Sequence, residues 1–207
     1  ALEPLIPSFV KRARRSEYLA DTFAAVRRAS VQHLAHAPVA TSQPVTLIDY
    51  DEAAEEKIVA AILYPHVHQP LAQLRELVRT LTTEQRRQLL DEYLQRRRHR
   101  RDKPGRALEQ VSYTFDIIAN LGLYRDLQRH RILTQERQDF TTRHGYDTPL
   151  EIEEAGFQAD FTRCMDQAAN LYEQLVREFP QEAQYVVPFA YRIRWYMKMN
   201  LREAVHI

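Results

Sequence analysis

The amino-acid sequence predicts an α+β fold, in which several long helices pack on a small, mostly antiparallel sheet. Most of the chain repeats its apolar side chains three or four residues apart, which is typical of amphipathic helices. The segment 108–118 instead alternates apolar and polar side chains, which is the pattern of a half-buried strand. A strand needs partners, and the short apolar run at 46–48 is the candidate.

The first 45 residues differ in pattern from the rest. Residues 7–34 predict helix, because apolar residues recur at helical spacing among arginines. Residues 37–44, with two prolines and several small polar residues, predict a linker. We therefore expect a helical connector over 1–45 and one domain over 46–207. The chain ends inside an apolar pattern, so we expect a fragment, cut at its C-terminus, or the ordered part of a longer protein.

The predicted domain consists mainly of helices. Helix caps are expected around Asp49–Asp51 and at Thr82, where Glu84 and Gln85 follow in the first turn. A helix is also expected after Asn120, carrying the residues 125–131, and the last helix should open at Pro180. The predicted helices span 52–64, 71–81, 82 to about 98, the stretch after 120, 149–179, and 180 to at least 200.

Composition excludes several classes of protein. The 207 residues are 44% hydrophobic and 28% charged, as in an ordinary globular domain. A net charge of +1 gives no field towards nucleic acid, and no apolar run approaches the ~20 residues that span a bilayer. We therefore expect neither nucleic acid nor membrane as a partner. A single cysteine, Cys164, fits a reducing cytoplasm, and we expect it to be buried and inert.

The run Arg125-Asp126-Leu127-Gln128-Arg129-His130-Arg131 is the most informative motif. On a helix, Arg125 and Arg129 would share one face. A guanidinium presents a fixed fork of donors that suits phosphate oxygens. The rival interpretation is a solvated helix face, which is the usual meaning of a charge run.

Two further basic segments have competing interpretations. The run 95–101 lacks aromatic residues that could stack bases, so a solvated helix end is favoured over a nucleic-acid patch. In the last predicted helix, Arg194, Lys198 and Arg202 are spaced by four and form a cationic stripe, unless the helix belongs to the core. Two cationic helices around a strand indicate a phosphorylated ligand. His66-Val67-His68 lacks a third ligand at recognisable spacing, so no metal ligand is assigned.

Taken in order, these features resemble the flavin-dependent (alternative) thymidylate synthases. The family carries an arginine-histidine-arginine run on a helix just after a strand, and the segment 108–115 and the run Arg129-His130-Arg131 look like these parts. Val187-Pro188, Arg194 and Asn200-Leu201-Arg202 followed by His206 resemble its closing signature. The similarity covers about residue 46 to the end. The first 45 residues fall outside it and could follow a second, upstream copy of the domain, as in tandem members.

The resemblance implies a homotetramer with FAD held at subunit junctions. The implied reaction moves a methylene group from methylenetetrahydrofolate to the C5 carbon of dUMP, with FAD-mediated reduction and NADPH as a co-substrate. No protein nucleophile is required, so no catalytic side chain is assigned. Arg194 would hold the nucleotide phosphate, with Arg125 and Thr134 as further substrate contacts. The implied cofactor contacts are Arg129, His130 and Arg131 from one subunit and Asn200, Arg202 and His206 from another.

The sequence also departs from the family pattern after the run. Where the family has serine, asparagine, glutamate, serine and arginine, this chain has Thr134, Glu136, Arg137, Asp139 and Thr141. Gln110 replaces a flavin-side histidine and Asp126 a nucleotide-binding glutamine. Asp126 and Asp139 would repel a phosphate-bearing ligand.

Three hypotheses follow from the signature and its departures. The first is an active thymidylate synthase, or a related flavoenzyme acting on another nucleotide. The second is a non-catalytic or regulatory relative that keeps the fold and the oligomer. The third is a helical interaction module without a ligand.

Overall fold

The computed structural model describes residues 4–13, 17–34, 36–40 and 43–207. The chain divides into two compact units, residues 1–41 and 42–207. In the first unit, α1 (Pro7–Ala13) and α2 (Glu17–Leu34) confirm the helices predicted over 7–34, except that residues 14–16 lie outside the described ranges. No side chain of α2 is buried. The predicted linker 37–44 includes residues 41 and 42, which are also outside these ranges.

The second unit confirms the predicted α+β class. Short 3-10 turns at Tyr64–His66, Arg106–Gln110 and Glu182–Val186 connect its elements. None of the described helices is long and apolar enough to cross a bilayer. The strands are β1 (Val45–Tyr50), β2 (Ser112–Asn120), β3 (Thr134–Arg137) and β4 (Arg192–Asn200), and the helices are α3 (Ala54–Leu63), α4 (Leu71–Thr80), α5 (Thr83–Leu94), α6 (Leu121–Leu127), α7 (Leu150–Glu154), α8 (Gln158–Glu178) and α9 (Leu201–Ala204).

The four strands form one antiparallel sheet in the order β1-β2-β4-β3. Ser112 lies opposite Asn200 and Asn120 opposite Arg192, so β2 and β4 pair along their whole lengths. On one side of the sheet, Ile117 and Trp195 pack with Leu121 and other buried residues. The other side carries polar residues, and we call it the open face: Thr134, Glu136, Asp116, Arg194, Tyr196 and Lys198.

Strand β4 contradicts the helix predicted from Pro180 to at least Asn200. Ile193, Trp195, Met197 and Met199 are buried, and every second residue between them is not, which is the period of a strand. Residues four apart share a face in a helix and also in a strand. The spacing of Arg194 and Lys198 therefore fits both structures, and it did not discriminate between them.

Three other predicted boundaries are corrected. Helix α5 begins after Thr82 with the expected capping box but ends at Leu94, before the predicted Arg98. The helix predicted over 149–179 is broken at Gly156, whose φ of 76° belongs to the left-handed region that glycine tolerates best. Strand β2 begins at Ser112, after a 3-10 turn, rather than at 108.

Cys164 is exposed, contrary to the expected buried thiol. Helix α8 buries Met165 and Tyr172 instead, and they pack with the residues of the Glu182–Val186 region. Residues seven apart lie on the same face of a helix, so the neighbouring Cys164 points away from that contact.

Candidate functional site

Strand β4 ends in a tightly held corner. The Asn200 side-chain oxygen accepts a hydrogen bond from the backbone N–H of Glu203 at 2.8 Å and thereby caps α9. The backbone N–H of Leu201 donates to the Val111 carbonyl at 3.1 Å, and the Leu201 side chain packs against Ile58, Leu108 and Val111. We call this region, from Asn200 to His206, the β4–α9 corner.

His130, the middle residue of the arginine-histidine-arginine run, lies at this corner. Its Nδ1 atom is 3.5 Å from Oε1 of Glu203, whose side chain is only 5% exposed. The His130 and His206 rings meet edge to face with centroids 5.9 Å apart. Within a single chain, the structure therefore brings His130 into contact with Glu203 and His206, which the sequence places about seventy residues later.

Arg202 connects the corner to the segment before β2. Its Nε donates to the Pro104 carbonyl at 2.9 Å and its Nη1 to Oε1 of Glu109 at 2.8 Å. Hydrogen bonds from Arg106 and then Arg202 lower the pKa of Glu109, against the opposing effect of burial, so this carboxylate stays ionised. A recess of about 90 Å³ lies beside Arg202, and Lys103 and His206 also line it.

Arg129 and Arg131 lie outside helix α6, contrary to the prediction that one helix carries residues 125–131. The helix ends at Leu127, the last residue of α6 that packs on the core beside Leu121 and Tyr124. The backbone then turns, and the N–H of His130 donates to the Leu127 carbonyl at 3.1 Å. The side chains after this point are too polar to continue the apolar face of α6, which gives a physical reason for the end of the helix.

The run is divided between two surfaces. Arg129 and Arg131 line a surface hollow together with Arg125, whereas His130 faces the β4–α9 corner. Arg129 forms an ion pair with Asp126 at 3.2 Å. This pair offsets the charge of Asp126, which we expected to repel a phosphate-bearing ligand. Arg125 donates to the side chain of Gln128 at 3.2 Å. The three arginines are thus neighbours, as the sequence indicated, but they do not share a recess with His130.

The open face holds the two other predicted substrate contacts. Thr134 lies opposite Lys198 across β3 and β4. Arg194 contacts both carboxylate oxygens of Asp116, with its Nε 3.1 and 3.0 Å from them and its Nη2 also bonded. This hydrogen bonding raises the pKa of Arg194, and each side chain is 21% exposed. The guanidinium that was assigned to a nucleotide phosphate is therefore already held by a carboxylate.

Sequence reasoning missed three of these neighbours: Asp116, His144 and Glu203. Asp116 carried a signal, since a charged residue in the middle of the alternating segment marks its polar side. His144 is half-buried, and burial followed by the charge of Arg194 lowers its pKa, so that it is neutral near pH 7. No local pattern in the sequence marked His144 or Glu203. Gln110, at the proposed flavin-side position, is exposed at the end of its 3-10 turn.

The donors at the corner fit the diphosphate of a dinucleotide. Arg202 and His206 face the recess together with Lys103, and guanidinium and ammonium groups are the side chains that bind phosphate oxygens best. Among the described residues, no group of three or more histidine, cysteine, aspartate or glutamate side chains is arranged to hold a metal ion.

One protein-family model matches most of the chain. The family model described as thymidylate synthase complementing protein matches residues 46–207. A UPF0159 protein of Chlamydia pneumoniae is 37% identical over 209 residues, covering 97% of this chain and 39% of its own length. A second, from Chlamydia muridarum, is 38% identical over 210 residues, with coverages of 97% and 40%. The chain thus spans about two fifths of the length of these relatives.

More distant similarity is found in an archaeon and in a solved structure. A UPF0159 protein of Thermoplasma acidophilum is 32% identical over 168 residues, covering 79% of this chain and 34% of its own length. The crystal structure of the UMP/dUMP methylase PolB from Streptomyces cacaoi, bound with 5-Br dUMP, superposes with a TM-score of 0.52. The two are 19% identical, and the match covers 75% of this chain and 72% of PolB, so the likeness is one of fold.

Proposed function

Because the chain belongs to the thymidylate synthase complementing protein family, the flavin-dependent thymidylate synthases, we propose that it binds FAD and methylates the C5 carbon of a uridine nucleotide such as dUMP. The observation that carries the proposal is the β4–α9 corner, where His130 contacts Glu203 and His206 within the segment that also holds Asn200 and Arg202. These residues come from both halves of the family signature. The structural neighbour, a UMP/dUMP methylase bound with 5-Br dUMP, supports the choice of nucleotide.

The chain's own residues would bind and orient the ligands. Arg202 and His206 would hold the FAD diphosphate, and Arg129 and Arg131 would contact the cofactor from their separate surface. Bound FAD, with NADPH and methylenetetrahydrofolate as co-substrates, would supply the reducing chemistry of methyl formation. Arg194 would hold the nucleotide phosphate with Thr134 on the same face of the sheet, and Arg125 would contact the substrate from the separate hollow. We place this reaction in the cytoplasm.

We also propose a homotetramer in which neighbouring copies complete the site. The recess at the corner measures about 90 Å³, whereas sites for ligands of this size usually enclose ~300–1,000 Å³. Arg129 and Arg131 do not line that recess, and in a tetramer a neighbouring copy would supply the arginine contacts that the recess lacks. Size measurement by light scattering would test the tetramer directly.

A second candidate function rests on the open face. Arg194 is bonded bidentately to Asp116, and Glu136 lies on the same face opposite Tyr196. Both acids disfavour a phosphate at this place. The alternative is a non-catalytic or regulatory relative that keeps the fold, the flavin and the oligomer without the nucleotide site.

Titration with FAD and then with dUMP separates the two candidates. The enzyme hypothesis predicts a shifted flavin absorbance with FAD and a further shift and higher Tm with dUMP. Methyl transfer should follow when methylenetetrahydrofolate and NADPH are added. A response to FAD alone would favour the non-catalytic relative. If FAD changes neither absorbance nor Tm, both candidates are wrong.

The flavin contacts can be tested by one pair of variants. Arg129→Ala with Arg131→Ala should abolish the flavin signal, because it removes two cations from the signature. The matched control is Arg87→Ala with Arg163→Ala, two exposed arginines on α5 and α8 that line neither the corner recess nor the hollow. An unchanged signal in the first variant would show that the arginine assignment is wrong.

A further inference from the structure

A lysine lies between two threonines on the open face of the sheet. Thr114 of β2 and Thr134 of β3 lie directly opposite Lys198 of β4, one on each side of it. Directly opposed side chains in a sheet have Cβ atoms ~5 Å apart, so both hydroxyl groups lie beside the lysine side chain. We call these three residues the lysine row, and they combine one cation with two hydroxyl donors.

The neighbouring row of the open face is acidic. Asp116 and Glu136 lie opposite Tyr196 on its two sides, and we call these three residues the acidic row. Asp116 is bonded to Arg194, whereas Glu136 is exposed and forms no hydrogen bond or ion pair with any residue that the structure describes. Glu136 is therefore the free hydrogen-bond acceptor of the acidic row.

The lysine row is free in the same sense. Within the described part of the chain, none of its three side chains has a hydrogen-bonding or ion-pairing partner. An anion at this row therefore meets a cation without displacing a carboxylate from it. Acids lie around the row, since Asp116 and Glu136 are diagonal to Lys198, and Asp49 of β1 lies beyond Thr114.

Together the two rows fit a molecule with a phosphate at one end and hydroxyl groups at the other. Residues two apart along a strand are separated by ~7 Å. The phosphate and the sugar hydroxyls of a nucleoside monophosphate are a similar distance apart. A carboxylate accepts hydrogen bonds from hydroxyl groups but repels a phosphate, so the phosphate belongs on the lysine row and the sugar over the acidic row.

We propose that the open face selects ribonucleotides, with the 5′-phosphate on Lys198 and the ribose 2′-hydroxyl donating a hydrogen bond to Glu136. The preferred substrate is then UMP and not dUMP, because deoxyribose has no 2′-hydroxyl to offer. Arg194 is a secondary contact of the phosphate while Asp116 holds it. Only the choice of uracil as the base rests on the proposed function.

Calorimetric titration with UMP and with dUMP, in the presence and absence of FAD, tests the sugar selection. We expect UMP to bind about tenfold more tightly, from the usual strength of a hydrogen bond to a charged group. Glu136→Ala should bring the ratio of the two affinities close to one. The matched control, Asp49→Ala, removes an acid from the same face and should keep the wild-type ratio, because Asp49 lies beyond Thr114 and away from the sugar.

A second variant, Lys198→Gln, tests the phosphate end. Its affinity for UMP should fall about tenfold, whereas its affinity for uridine, which has no phosphate, should not change. The control Arg87→Gln removes an exposed cation on α5 and should bind UMP within about twofold of the wild type, because distant charges are screened in salt. Lys198 and Glu136 are both exposed, so we expect their variants to keep the wild-type Tm.

The outcomes separate this selection from the proposed function. Failure of UMP to bind, dUMP binding as tightly as UMP, a wild-type ratio in Glu136→Ala, or a wild-type UMP affinity in Lys198→Gln would each overturn the selection. If UMP is selected as expected but FAD gives no signal and no methyl transfer follows, the selection stands and the proposed function is wrong. Methyl transfer to dUMP that neither substitution changes would support the proposed function and refute the selection.

Discussion

The β4–α9 corner and the open face of the sheet hold signature arginines in different electrostatic settings. At the corner, Arg202 and Arg106 both contact Glu109, and Arg97, Arg100 and Lys103 line the recess beside Arg202. On the open face, Arg194 is bonded to both oxygens of Asp116. In both settings an added anion competes with a carboxylate of the chain, but at the corner further cations line the recess beside Arg202. The carboxylates around a signature arginine thus decide how readily it can bind a ligand phosphate.

The difference concerns mainly the nucleotide half of the proposed reaction. A phosphate at Arg194 would have to displace Asp116 or share its guanidinium, and carboxylate and phosphate repel one another at such distances. At the corner, Glu109 bonds to one nitrogen of Arg202, whereas Asp116 contacts Arg194 with both of its carboxylate oxygens. Four measurements would break or sharpen this comparison.

The largest effect is expected from breaking the pair on the open face. Arg194→Gln leaves Asp116 charged and only 21% exposed, and we expect a loss of about 2 kcal/mol in the free energy of unfolding. The double variant Asp116→Asn with Arg194→Gln should recover most of it, because no unpaired charge remains. Urea denaturation of the three proteins measures both values. An equally destabilised double variant would mean that packing, and not the ion pair, is lost.

The next largest effect is expected on stability, from the two arginines that contact Glu109. Arg202→Gln removes the bonds to Pro104 and Glu109 and should cost about 1–2 kcal/mol of stability. The matched control, Arg106→Gln, concerns a side chain that is 83% exposed, and its Tm should stay that of the wild type. If the two variants have the same Tm, Arg202 does not hold the segment at Pro104 to α9.

A third variant should raise the affinity for the nucleotide. Asp116→Asn removes the charge that competes for Arg194, and we expect dUMP affinity to rise about tenfold, equivalent to ~1.4 kcal/mol. FAD affinity should not change, since Asp116 lies on the open face and not at the corner. Calorimetric titration of both ligands gives the two numbers. A rise for FAD as well would show that the two regions are not independent.

The smallest effect is a pH dependence at His144. Burial, and then the charge of Arg194, lower the pKa of His144 from its ordinary value of 6.5. The unfolded chain therefore binds this proton more readily than the folded one. The contribution of neutral His144 to the free energy of unfolding is complete above about pH 6.5 and is lost as the pH falls through the lowered pKa. Urea denaturation at pH 7.5 and 5.5 should show a smaller decline for His144→Asn than for the wild type.

The titration of His144 also tests its coupling to Arg194 on the open face. In Arg194→Gln, the pKa of His144 should move towards its ordinary value, as followed by NMR of the imidazole protons. An unchanged pKa would mean that burial alone lowers it, and that His144 does not sense the charge of Arg194.

The sequence predicted the fold class because most apolar patterns were long enough to be unambiguous. The capped helix after Thr82 and the paired strands at 45–50 and 112–120 are where the patterns placed them, within a few residues. The prediction for β4 was wrong for a specific reason. Its cations are spaced by four, and this spacing satisfies a helix and a strand equally, whereas the alternation of Ile193, Trp195, Met197 and Met199 discriminates between them.

The candidate site was predictable in its residue types but not in its grouping. Arg129, His130 and Arg131 are consecutive, yet a turn after Leu127 sends His130 towards Glu203 and the two arginines towards another surface. The bond between Asp116 and Arg194 joins residues 78 positions apart. Such pairings depend on strand register, which is set by the whole sheet and not by any local pattern.

The central place of β4 in the sheet also has a consequence for how the chain acquires its structure. This strand joins β2 to β3, yet among the strands of this sheet it comes last along the chain. Until it arrives, only β1 and β2 can pair, and β3 has no neighbour at all in the final sheet order. Long-range pairings of this kind form slowly. We therefore expect the nascent chain to expose the unpaired edge of β2 until β4 has been synthesised, which makes that interval prone to aggregation.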